Sequence, residues 1–488
     1  MPASLFPSSA EMLRFLPELI LTGVGTLIMV LEPLTGEKPK NGLGHLSIAG
    51  LVAALAASVA ANANPGPAFS SMLLVDGFAT FFRVLVIVVG ILTILASYRY
   101  LTRENANRGE YFALILFSVV GQCVMVTANE LIMIFIGLEI SSIATYVLAG
   151  QLRDDPRANE SALKYFLLGS FATAFLLYGI AFIYGATGST NLLAVREAVL
   201  RADSPSPLLL ALAASLMMVG FGFKISGVPF QMWAPDVYQG APAPVAAFMS
   251  AGPKAAAFAI FLRVFITIFE PIGERWGALI WVSALLSMTL GNFAALTQTN
   301  VKRMLAYSSI AHAGYVLVAL CARSEVGTAA AMFYLAAYAL MNVGAFAVVA
   351  YLCGKGEKYV AIDDLAGLGA RRPLVAAALA LFMCSLIGIP LTGGFFGKFY
   401  IFKAALQSKL IWLTVLGLLN SAVAAFYYLS VMVVMYMHEP GEAVDELEPL
   451  SPGLRTALLA SAAGVLILGV FPSSILDFAV KSAKMLSR

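Results

Sequence analysis

Four charged side chains attract attention because apolar sequence surrounds each of them. Three are lysines, Lys224, Lys254 and Lys398, and the fourth is Glu139, in the stretch I-F-I-G-L-E-I-S-S. A charge at the centre of a bilayer costs about 2.5–3.5 kcal/mol on insertion scales, so intramembrane charges usually serve a function. Ammonium and carboxylate groups accept and release protons. We therefore predict that these four residues carry the chemistry of the chain, as steps of a proton path.

Simpler interpretations of these charges also exist. Glu139 and Lys224 would also suit a structural ion pair that only fixes the packing of two helices. A lysine near the end of a helix can extend its long stem to the membrane surface. Lys164 lies only a few residues into its apolar helix, so this interpretation is strongest there. Lys224 is flanked by apolar residues on one side and by a predicted helix break on the other, which favours a functional role.

Two stretches should interrupt their helices. The first follows Lys224, where Gly227 weakens the helix and Pro229 removes a backbone donor. The second is Gly388-Ile389-Pro390, which is followed by Gly393 and Gly394 and then by Lys398. A broken helix at membrane depth is tolerated only where its backbone faces protein or a wet cavity. Each predicted break thus places an intramembrane lysine beside exposed backbone.

Polar side chains also occur in rows on two other apolar helices. In R-M-L-A-Y-S-S-I-A-H-A-G-Y the polar members are Tyr307, Ser308, Ser309 and His312. On the next helix, tyrosine, tyrosine and asparagine recur every four residues, which places them on one helical face; they are Tyr334, Tyr338 and Asn342. Any one of these groups suits an interhelical hydrogen bond. The rows as a whole favour a hydrated path.

Composition identifies the class of protein. Of 488 residues, 60% are hydrophobic and only 12% are charged, which is about half the charge of a soluble domain. The net charge of +3 is too small to suggest a nucleic-acid partner. No pair among Cys123, Cys321, Cys353 and Cys384 has metal-binding or redox spacing, and His45, His312 and His438 are scattered. The chain also lacks nucleotide-binding fingerprints. We therefore predict neither a cofactor nor a metal site in this chain.

Runs of apolar residues predict an all-α polytopic membrane protein, since about 18 or more are needed to span a bilayer. Fourteen such spans are expected, near 12–31, 44–62, 77–99, 111–128, 131–150, 161–187, 207–235, 243–269, 276–297, 303–321, 326–353, 373–404, 409–437 and 454–474.

Basic residues in the loops predict the orientation, because cytoplasmic loops are enriched in lysine and arginine. The richer set of loops holds Lys38, Lys40, Arg103, Arg108, Arg153, Arg157, Lys302, Arg303, Lys355, Lys358, Arg371, Arg372 and Arg455. The other set holds Arg14, Arg196, Arg201, Arg275, Lys403, Lys409, Lys481, Lys484 and Arg488. We expect the first set in the cytoplasm and both termini on the opposite side.

The pattern of spans indicates an internal duplication. Spans four to eight and nine to thirteen form two five-helix blocks, and the fourth helix of each block carries the break and a lysine. Because each block has an odd number of spans, the second is inverted relative to the first, and paired broken helices of this kind indicate an ion path near the midplane. We therefore divide the chain into three N-terminal transmembrane helices (1–109), a first repeat (110–270), a second repeat (275–440) and a C-terminal transmembrane helix (441–488).

Three motifs resemble those of a known family. F-K-I-S-G-V-P-F-Q-M-W-A-P-D-V-Y-Q-G-A-P, K-R-M-L-A-Y-S-S-I-A-H-A-G-Y and G-I-P-L-T-G-G-F-F-G-K-F are similar to motifs of the antiporter-like subunits of respiratory complex I, the proton-pumping NADH:quinone oxidoreductase, whose core is shared with Mrp-type sodium/proton antiporters. The resemblance covers nearly the whole chain. Lys398, where subunit M has a glutamate, and an expected lack of the lateral helix of subunit L make the chain look like subunit N.

The resemblance implies roles for particular residues. Glu139 and Lys224 match the family's charged pair on helices five and seven, Lys254 its connecting lysine on helix eight, and Lys398 its exit-side lysine on helix twelve. Secondary positions on the proton path are Lys164, Gln231, Tyr307, His312, Tyr334 and Tyr338. Gln231 stands where some members have a histidine. Glutamine is neither an acid nor a base at neutral pH, so this position would place water rather than transfer a proton.

The resemblance also implies a function. The chain would be a proton-translocating subunit in a bacterial inner membrane, with NADH, flavin, iron–sulfur clusters and quinone bound by partner subunits of complex I. A secondary cation/proton antiporter without redox partners is the main alternative, and a structural spacer in a membrane assembly is the other. Neither the quinone nor the number of protons follows from the sequence.

Overall fold

The chain folds into a bundle of helices with one short hairpin of strands in its described part. The structure is a computed structural model that describes residues 7–36, 40–201 and 206–486. Its α-helices are α1 (Ser9–Arg14), α2 (Leu16–Leu31), α3 (Asn41–Asn62), α4 (Gly77–Arg103), α5 (Gly109–Thr127), α6 (Leu131–Ala149), α7 (Pro156–Thr187), α8 (Leu192–Leu200), α9 (Pro207–Ile225), α10 (Trp233–Gly240), α11 (Ala243–Thr267), α12 (Gly273–Leu296), α13 (Val301–Cys321), α14 (Glu325–Leu352), α15 (Leu368–Arg371), α16 (Pro373–Ile387), α17 (Gly393–Gln407), α18 (Ile411–Met437), α19 (Glu442–Asp445), α20 (Pro452–Val470) and α21 (Pro472–Leu486). Short 3-10 helices cover Glu32–Thr35, Glu270–Ile272, Lys355–Glu357 and Ile362–Leu365. Strands β1 (Gly66–Ala68) and β2 (Leu73–Val75) pair antiparallel.

The membrane-spanning helices agree with the hydropathy of the sequence. Thirteen helices in the described ranges are long and apolar enough to cross a membrane. The remaining predicted span, 373–404, consists of the shorter helices α16 and α17 on either side of the predicted break. These helices confirm the prediction of an all-α polytopic membrane fold. Long apolar runs form helices in lipid because a helix satisfies all of its own backbone hydrogen bonds.

The first break separates α9 from α10. Helix α9 ends at Ile225, and Ser226 adopts the left-handed conformation (φ 60°) that commonly terminates helices. The backbone that follows is bonded by serines of α12. Val228 N–H donates to Ser287 Oγ (2.8 Å), and Ser283 Oγ donates to Val228 O (2.6 Å). Irregular backbone at membrane depth is thus satisfied by neighbouring side chains.

The second break, between α16 and α17, depends on glycine. Gly388 has a backbone φ of +95°, a value that residues other than glycine rarely adopt. Gly394, at the start of α17, lies so close to α16 that an added Cβ would be 1.8 Å from Ser385 O. The close approach leaves the last carbonyl groups of α16 directed toward α17, and these carbonyls become part of the site described below.

Helices α11, α13 and α14 form the interior of the bundle. Almost every residue in the apolar stretch of each of these three helices is buried. In contrast, α7, α12 and α18 present one apolar face outward. Burial on all sides is typical of a central membrane helix, which needs no polar face. Lys254, His312 and Tyr338 lie on these three helices, so the protein shields them from lipid.

Within each of the two predicted sets, contacts join the loops to their neighbours of the same set. In the richer set, Arg157 Nη2 donates to Gly356 O (2.9 Å), and Lys358 pairs with Glu442 (3.3 Å). In the other set, Arg14 Nη1 donates to Pro67 O (2.6 Å). Glu37, Lys38 and Arg488, which the orientation argument used, lie outside the described residues.

The orientation can be tested by single cysteines at exposed positions. We expect Asp154→Cys and Lys358→Cys to react with a membrane-impermeant thiol reagent only from the cytoplasm, because the basic loops at Glu37–Lys40, Arg153–Arg157 and Lys355–Arg372 should face that side. Glu197→Cys is the control for the opposite end. Labelling of whole cells and of inverted vesicles separates the two sides. Reaction of Asp154→Cys in whole cells would reverse the topology.

Several elements were not predicted from the sequence. Among them are the β1–β2 hairpin and α21, which begins at Pro472, and the short helices α8, α15 and α19 also lie outside every predicted span. One face of α21 is buried against α4 and α14, and the rings of Phe81 and Phe478 lie 6.3 Å apart. An amphipathic helix of this length has too few consecutive apolar residues to be detected as a span. The segment 441–488 therefore contains a packed helix beyond its single spanning one.

Candidate functional site: a row of buried lysines

Lys224 lies at the last turn of α9, immediately before the first break. Its Nζ donates to Ser142 Oγ (2.7 Å) and to Tyr146 OH (3.3 Å), both on α6. Nζ also lies 5.1 Å from the ring centroid of Tyr146 and 5.3 Å from that of Tyr165. Hydroxyl oxygens and the faces of aromatic rings stabilise an ammonium without neutralising it.

Glu139 is on the same helix as these hydroxyl groups, one turn before Ser142. Its Oε1 atom is buried and has no hydrogen-bond partner among the described residues. No oxygen of Glu139 forms an ion pair with Lys224 within 4.0 Å, although the structure describes both side chains. The direct ion pair between Glu139 and Lys224 that the sequence suggested is not formed, because the ammonium of Lys224 donates its hydrogen bonds to Ser142 and Tyr146 instead. The two side chains are still near enough for their charges to interact.

Lys254 lies near the middle of α11 and is only 2% exposed. Its Nζ donates to Ser309 O (3.2 Å) and to the hydroxyl of the same serine on α13. Pro253, one residue earlier, lacks the N–H that would continue the helical hydrogen bonds. Lys254 thus connects α11 of the first predicted repeat to α13 of the second through oxygen atoms alone.

His312 stands at the centre of a cluster of tyrosines. Nδ1 bonds to the hydroxyl of Tyr334, and Nε2 lies 3.0 Å from the hydroxyl of Tyr428. Tyr428 also bonds to Ser308, the neighbour of Ser309. This network extends from Ser308, the chain neighbour of the serine that holds Lys254, to Tyr428 on α18 and Tyr334 on α14, so imidazole and hydroxyl groups form a connected polar chain.

Lys398, on α17, occupies the second break. Its Nζ donates to Leu386 O and Ile387 O (both 2.9 Å) and to Ser421 Oγ (2.8 Å), and it lies 4.7 Å from the ring centroid of Tyr315. The two carbonyls are the last of α16, whose C-terminal end carries a partial negative charge. The side chain is only 5% exposed. The broken helix thus supplies the negative dipole that holds this lysine.

Lys164, Gln231 and Tyr307, which the sequence analysis placed at secondary positions on the proton path, have three different kinds of surroundings. Lys164 is 41% exposed and pairs with Glu160 (2.7 Å) and Asp236 (2.9 Å), so it lies in a surface ion-pair network outside the row of buried lysines. Gln231 is in the segment between α9 and α10, and its Oε1 is buried without a partner. Tyr307 is half-buried on α13 beneath Arg303, whose Cζ lies 5.7 Å from the ring centroid.

Comparison with known proteins decides the family. The family model for the membrane domain of NADH:quinone oxidoreductase/Mrp antiporters matches residues 128–424. A subunit of this type from Solibacter usitatus, NADH-quinone oxidoreductase subunit N 1, is 65% identical over 99% of both chains. The chain belongs to the subunit N family of NADH-quinone oxidoreductases. A chain of respiratory complex I from Thermus thermophilus has the same fold, with a TM-score of 0.82 and 36% identity over 95% of this chain and 99% of that one. A chain of the Mrp complex from Dietzia sp. is similar in fold, with a TM-score of 0.84 at 20% identity over 98% of this chain and 97% of that one.

In this member of the subunit N family, sequence reasoning missed most of the groups that contact the lysines. They are Ser142, Tyr146, Ser309, Tyr315 and Ser421. Ser309 was noted only as part of a polar row. Hydroxyl residues on apolar helices gave the sole signal, and many hydroxyls in membrane helices serve packing alone. Only the rotation of each helix determines which of them face a lysine.

Three tyrosines of this subunit N chain carry buried hydroxyl groups without a hydrogen-bond partner among the described residues. They are Tyr238, Tyr315 and Tyr338. Buried polar groups almost always have partners, and ordered water supplies them where protein does not. Tyr315 lies beside Lys398 and Tyr338 lies beside His312, so these hydroxyls are groups that can bind water next to the polar residues of the site.

The described residues offer no metal site beside the row of lysines. Within the described ranges, no three His, Cys, Asp or Glu side chains are grouped so that they could hold a metal ion. Cys123, Cys321 and Cys353 are buried, and all four cysteines of the chain are free. The chemistry that the described site residues themselves can perform is proton exchange among amines, hydroxyls, an imidazole and a carboxylate.

Proposed function

We propose that this chain is the proton-translocating membrane subunit N of a bacterial NADH:quinone oxidoreductase. It would move protons across the inner membrane with energy from electron transfer between NADH and a quinone. Flavin, iron–sulfur clusters and quinone would be bound by other subunits, and the chain would contact neighbouring membrane subunits and lipid. The family membership and the buried lysines support this proposal together.

The observation that carries the proposal is the way in which the three lysines are held. Among the described residues, no carboxylate forms an ion pair with Lys224, Lys254 or Lys398, and each ammonium is bonded to hydroxyl or carbonyl oxygens instead. A lysine in a tight ion pair can lose its proton only if the carboxylate takes up a proton as well, since that carboxylate would otherwise be left as an unpaired buried charge. A lysine that is bonded to neutral oxygens can lose its proton without leaving a carboxylate unpaired, so it suits repeated proton exchange.

The order of the groups suggests how a proton would travel. Lys224 would pass a proton to water near Tyr238 and so to Lys254, which contacts Ser309. From there Ser308, Tyr428 and His312 connect the polar chain toward Tyr315 and Lys398. Each amine that has released a proton is ready to accept the next. Glu139, close to Lys224, would set how readily the first amine holds its proton.

The division into two repeats gives this path its two halves. In our proposal the first repeat, 110–270, carries Glu139, Lys224 and Lys254, and the second, 275–440, carries His312 and Lys398. The first helix of each repeat, α5 and α12, would run in opposite directions through the membrane. Lys254, bonded to Ser309, would join the halves. Lys164, Gln231, Tyr307, Tyr334 and Tyr338 would have supporting roles, as hydrogen-bonding or water-positioning groups.

Purification in mild detergent tests the proposed function. We expect a tagged copy of the chain to bring down flavin- and iron–sulfur-containing partners, and the isolated complex to reduce a quinone with NADH. Isolation with small antiporter subunits alone, and sodium/proton exchange without redox partners, would support the antiporter alternative instead. Full proton pumping after loss of the buried lysines would favour a structural spacer.

A substitution at Glu139 tests the switch at Lys224. Glu139→Gln keeps the size and polarity of the side chain but removes the charge that stabilises a nearby ammonium. We expect assembly close to that of the unmodified protein and a strong loss of proton pumping per electron, measured in inverted vesicles. Glu130→Gln, at the start of the same helix, is the matched control. An unchanged ratio of protons to electrons in fully assembled Glu139→Gln would remove Glu139 from the mechanism.

A further inference from the structure

In the short loop that follows α14, the side chain of Glu357 points into the interior of the protein. Gly354, Gly356 and Glu357 have φ values of 65°, 66° and 51°, all in the left-handed region. Glycine adopts this region easily, but glutamate does so at a cost, which the surrounding contacts must offset. Glu357 is only 6% exposed although it lies in a loop among charged, exposed residues. The loop conformation is therefore one that delivers this carboxylate to the interior.

Glu357 is held by groups from three helices. Oε1 accepts hydrogen bonds from Tyr100 OH (2.7 Å) on α4 and from Ala243 N–H (2.8 Å) at the start of α11. Oε2 accepts from Lys302 Nζ (2.5 Å) on α13. Lys302 is fully buried and also donates to Ala241 O (2.6 Å). This pair of buried titratable groups is not part of the path described above.

Lys302 lies on the same face of α13 as Ser309, the residue that contacts Lys254. Seven residues separate it from Ser309 on α13, so the two side chains share one face of the helix about 10 Å apart. Ser309 in turn holds Lys254. Tyr238 lies near Ser309 and is on α10, three residues before Ala241. A column of polar groups thus extends from Glu357 to Lys254.

Two cavities lie at the end of this column where Glu357 is found. A cavity of about 180 Å³ is lined by Tyr100, Arg103 and Gly354, and a second of about 470 Å³ is lined by Gly356 and Arg157. The loop that holds Glu357 separates the two. Tyr100 both borders the first cavity and donates to Glu357. The first cavity is thus one side chain, Tyr100, away from the buried pair.

We propose that Glu357 and Lys302 form an entrance through which protons reach Lys254 without passing Lys224. A proton from cavity water would bind Glu357 and move to Lys302 after Lys302 has passed its own proton, by way of water at Tyr238, to the Ser309–Lys254 pair. One proton enters from the cavity and one arrives at Lys254, so the charges balance. The inference rests on the proposed function, since it supplies that path with protons.

Two variants separate an entrance from a structural clamp. Lys302→Arg keeps the ion pair, but a guanidinium does not release its proton in proteins. In Glu357→Gln/Lys302→Met, the amide still accepts from Tyr100 and Ala243, and no buried charge is left unpaired. A clamp would tolerate at least one of these changes. The entrance tolerates neither.

The measurement is NADH-driven proton pumping per electron in inverted vesicles, normalised to assembled complex. We expect both variants to assemble and to lose most of the pumping. The control is Glu18→Leu/Arg83→Met, which removes a buried pair outside the column and should pump normally. Normal pumping by either test variant, failure of both to assemble, or an equal loss in the control would overturn the inference. If Lys398→Ala, measured alongside, also pumped fully, the proposed function itself would fail.

Discussion

Replacing Lys398 by alanine should remove most of the proton pumping while the complex still assembles. Lys398 is the titratable group at the second break, and its ammonium is held by Leu386 O, Ile387 O and Ser421 Oγ. Loss of a positioned proton-transfer group slows its step by about 10²–10⁴-fold. Alanine leaves the two carbonyls at the end of α16 with space that water can fill, so the fold should tolerate the change.

Lys398→Glu should keep part of the pumping. Proton release needs a titratable group at this point and does not need a particular sign. A protonated carboxyl group can donate one hydrogen bond to the same carbonyls, whereas an ionised one is repelled by them. We therefore expect pumping between that of the alanine variant and that of the unmodified protein.

The measurement is quinone-dependent proton pumping in vesicles, normalised to the amount of assembled complex. Lys403→Ala is the control, because Lys403 is an exposed lysine five residues further along the same helix. A structural anchor would behave differently, since alanine would then lower the amount of complex and leave the turnover of each complex intact. Full pumping by Lys398→Ala would exclude Lys398 from the path.

Breaking the buried ion pair between α2 and α4 should destabilise the protein strongly. Arg83 Nη2 donates to Glu18 Oε1 at 2.7 Å, and both side chains are fully buried. Removal of one partner leaves an uncompensated buried charge, which typically costs about 3–5 kcal/mol. We expect Arg83→Met to lower the free energy of unfolding by that amount, measured by denaturation in mixed micelles.

The double variant Glu18→Leu/Arg83→Met should recover most of this loss. Replacement of a whole buried ion pair by apolar side chains of similar volume is often neutral or stabilising, because neither charge must then be removed from water. Glu18 Oε2 and Arg83 Nε also have no hydrogen-bond partner among the described residues, so the pair is incompletely satisfied. A double variant as unstable as Arg83→Met would show that the pair contributes through its own attraction.

Local sequence alone determined the helices and their breaks. Long apolar runs predicted the spans, because a membrane helix must satisfy its own backbone and bury apolar side chains over a fixed length. Gly227, Pro229 and Gly388 marked the breaks, because their effects on the backbone do not depend on distant residues. The three lysines and Glu139 stood out for the same reason, since a charge in apolar sequence is visible without any structure. Hydropathy did not detect α21, whose apolar residues occupy only one face.

Tertiary structure decided which groups surround each charge. Sequence suggested that Glu139 would contact Lys224, yet the lysine bonds to Ser142 and Tyr146 one and two turns further along the same helix. Glu357 looked like one of several charged loop residues, and only the left-handed turn places it against Lys302, 55 positions away. Hydrogen-bond partners depend on the rotation and depth of each helix against its neighbours. Packing across the whole bundle fixes those quantities, and no short stretch of sequence contains them.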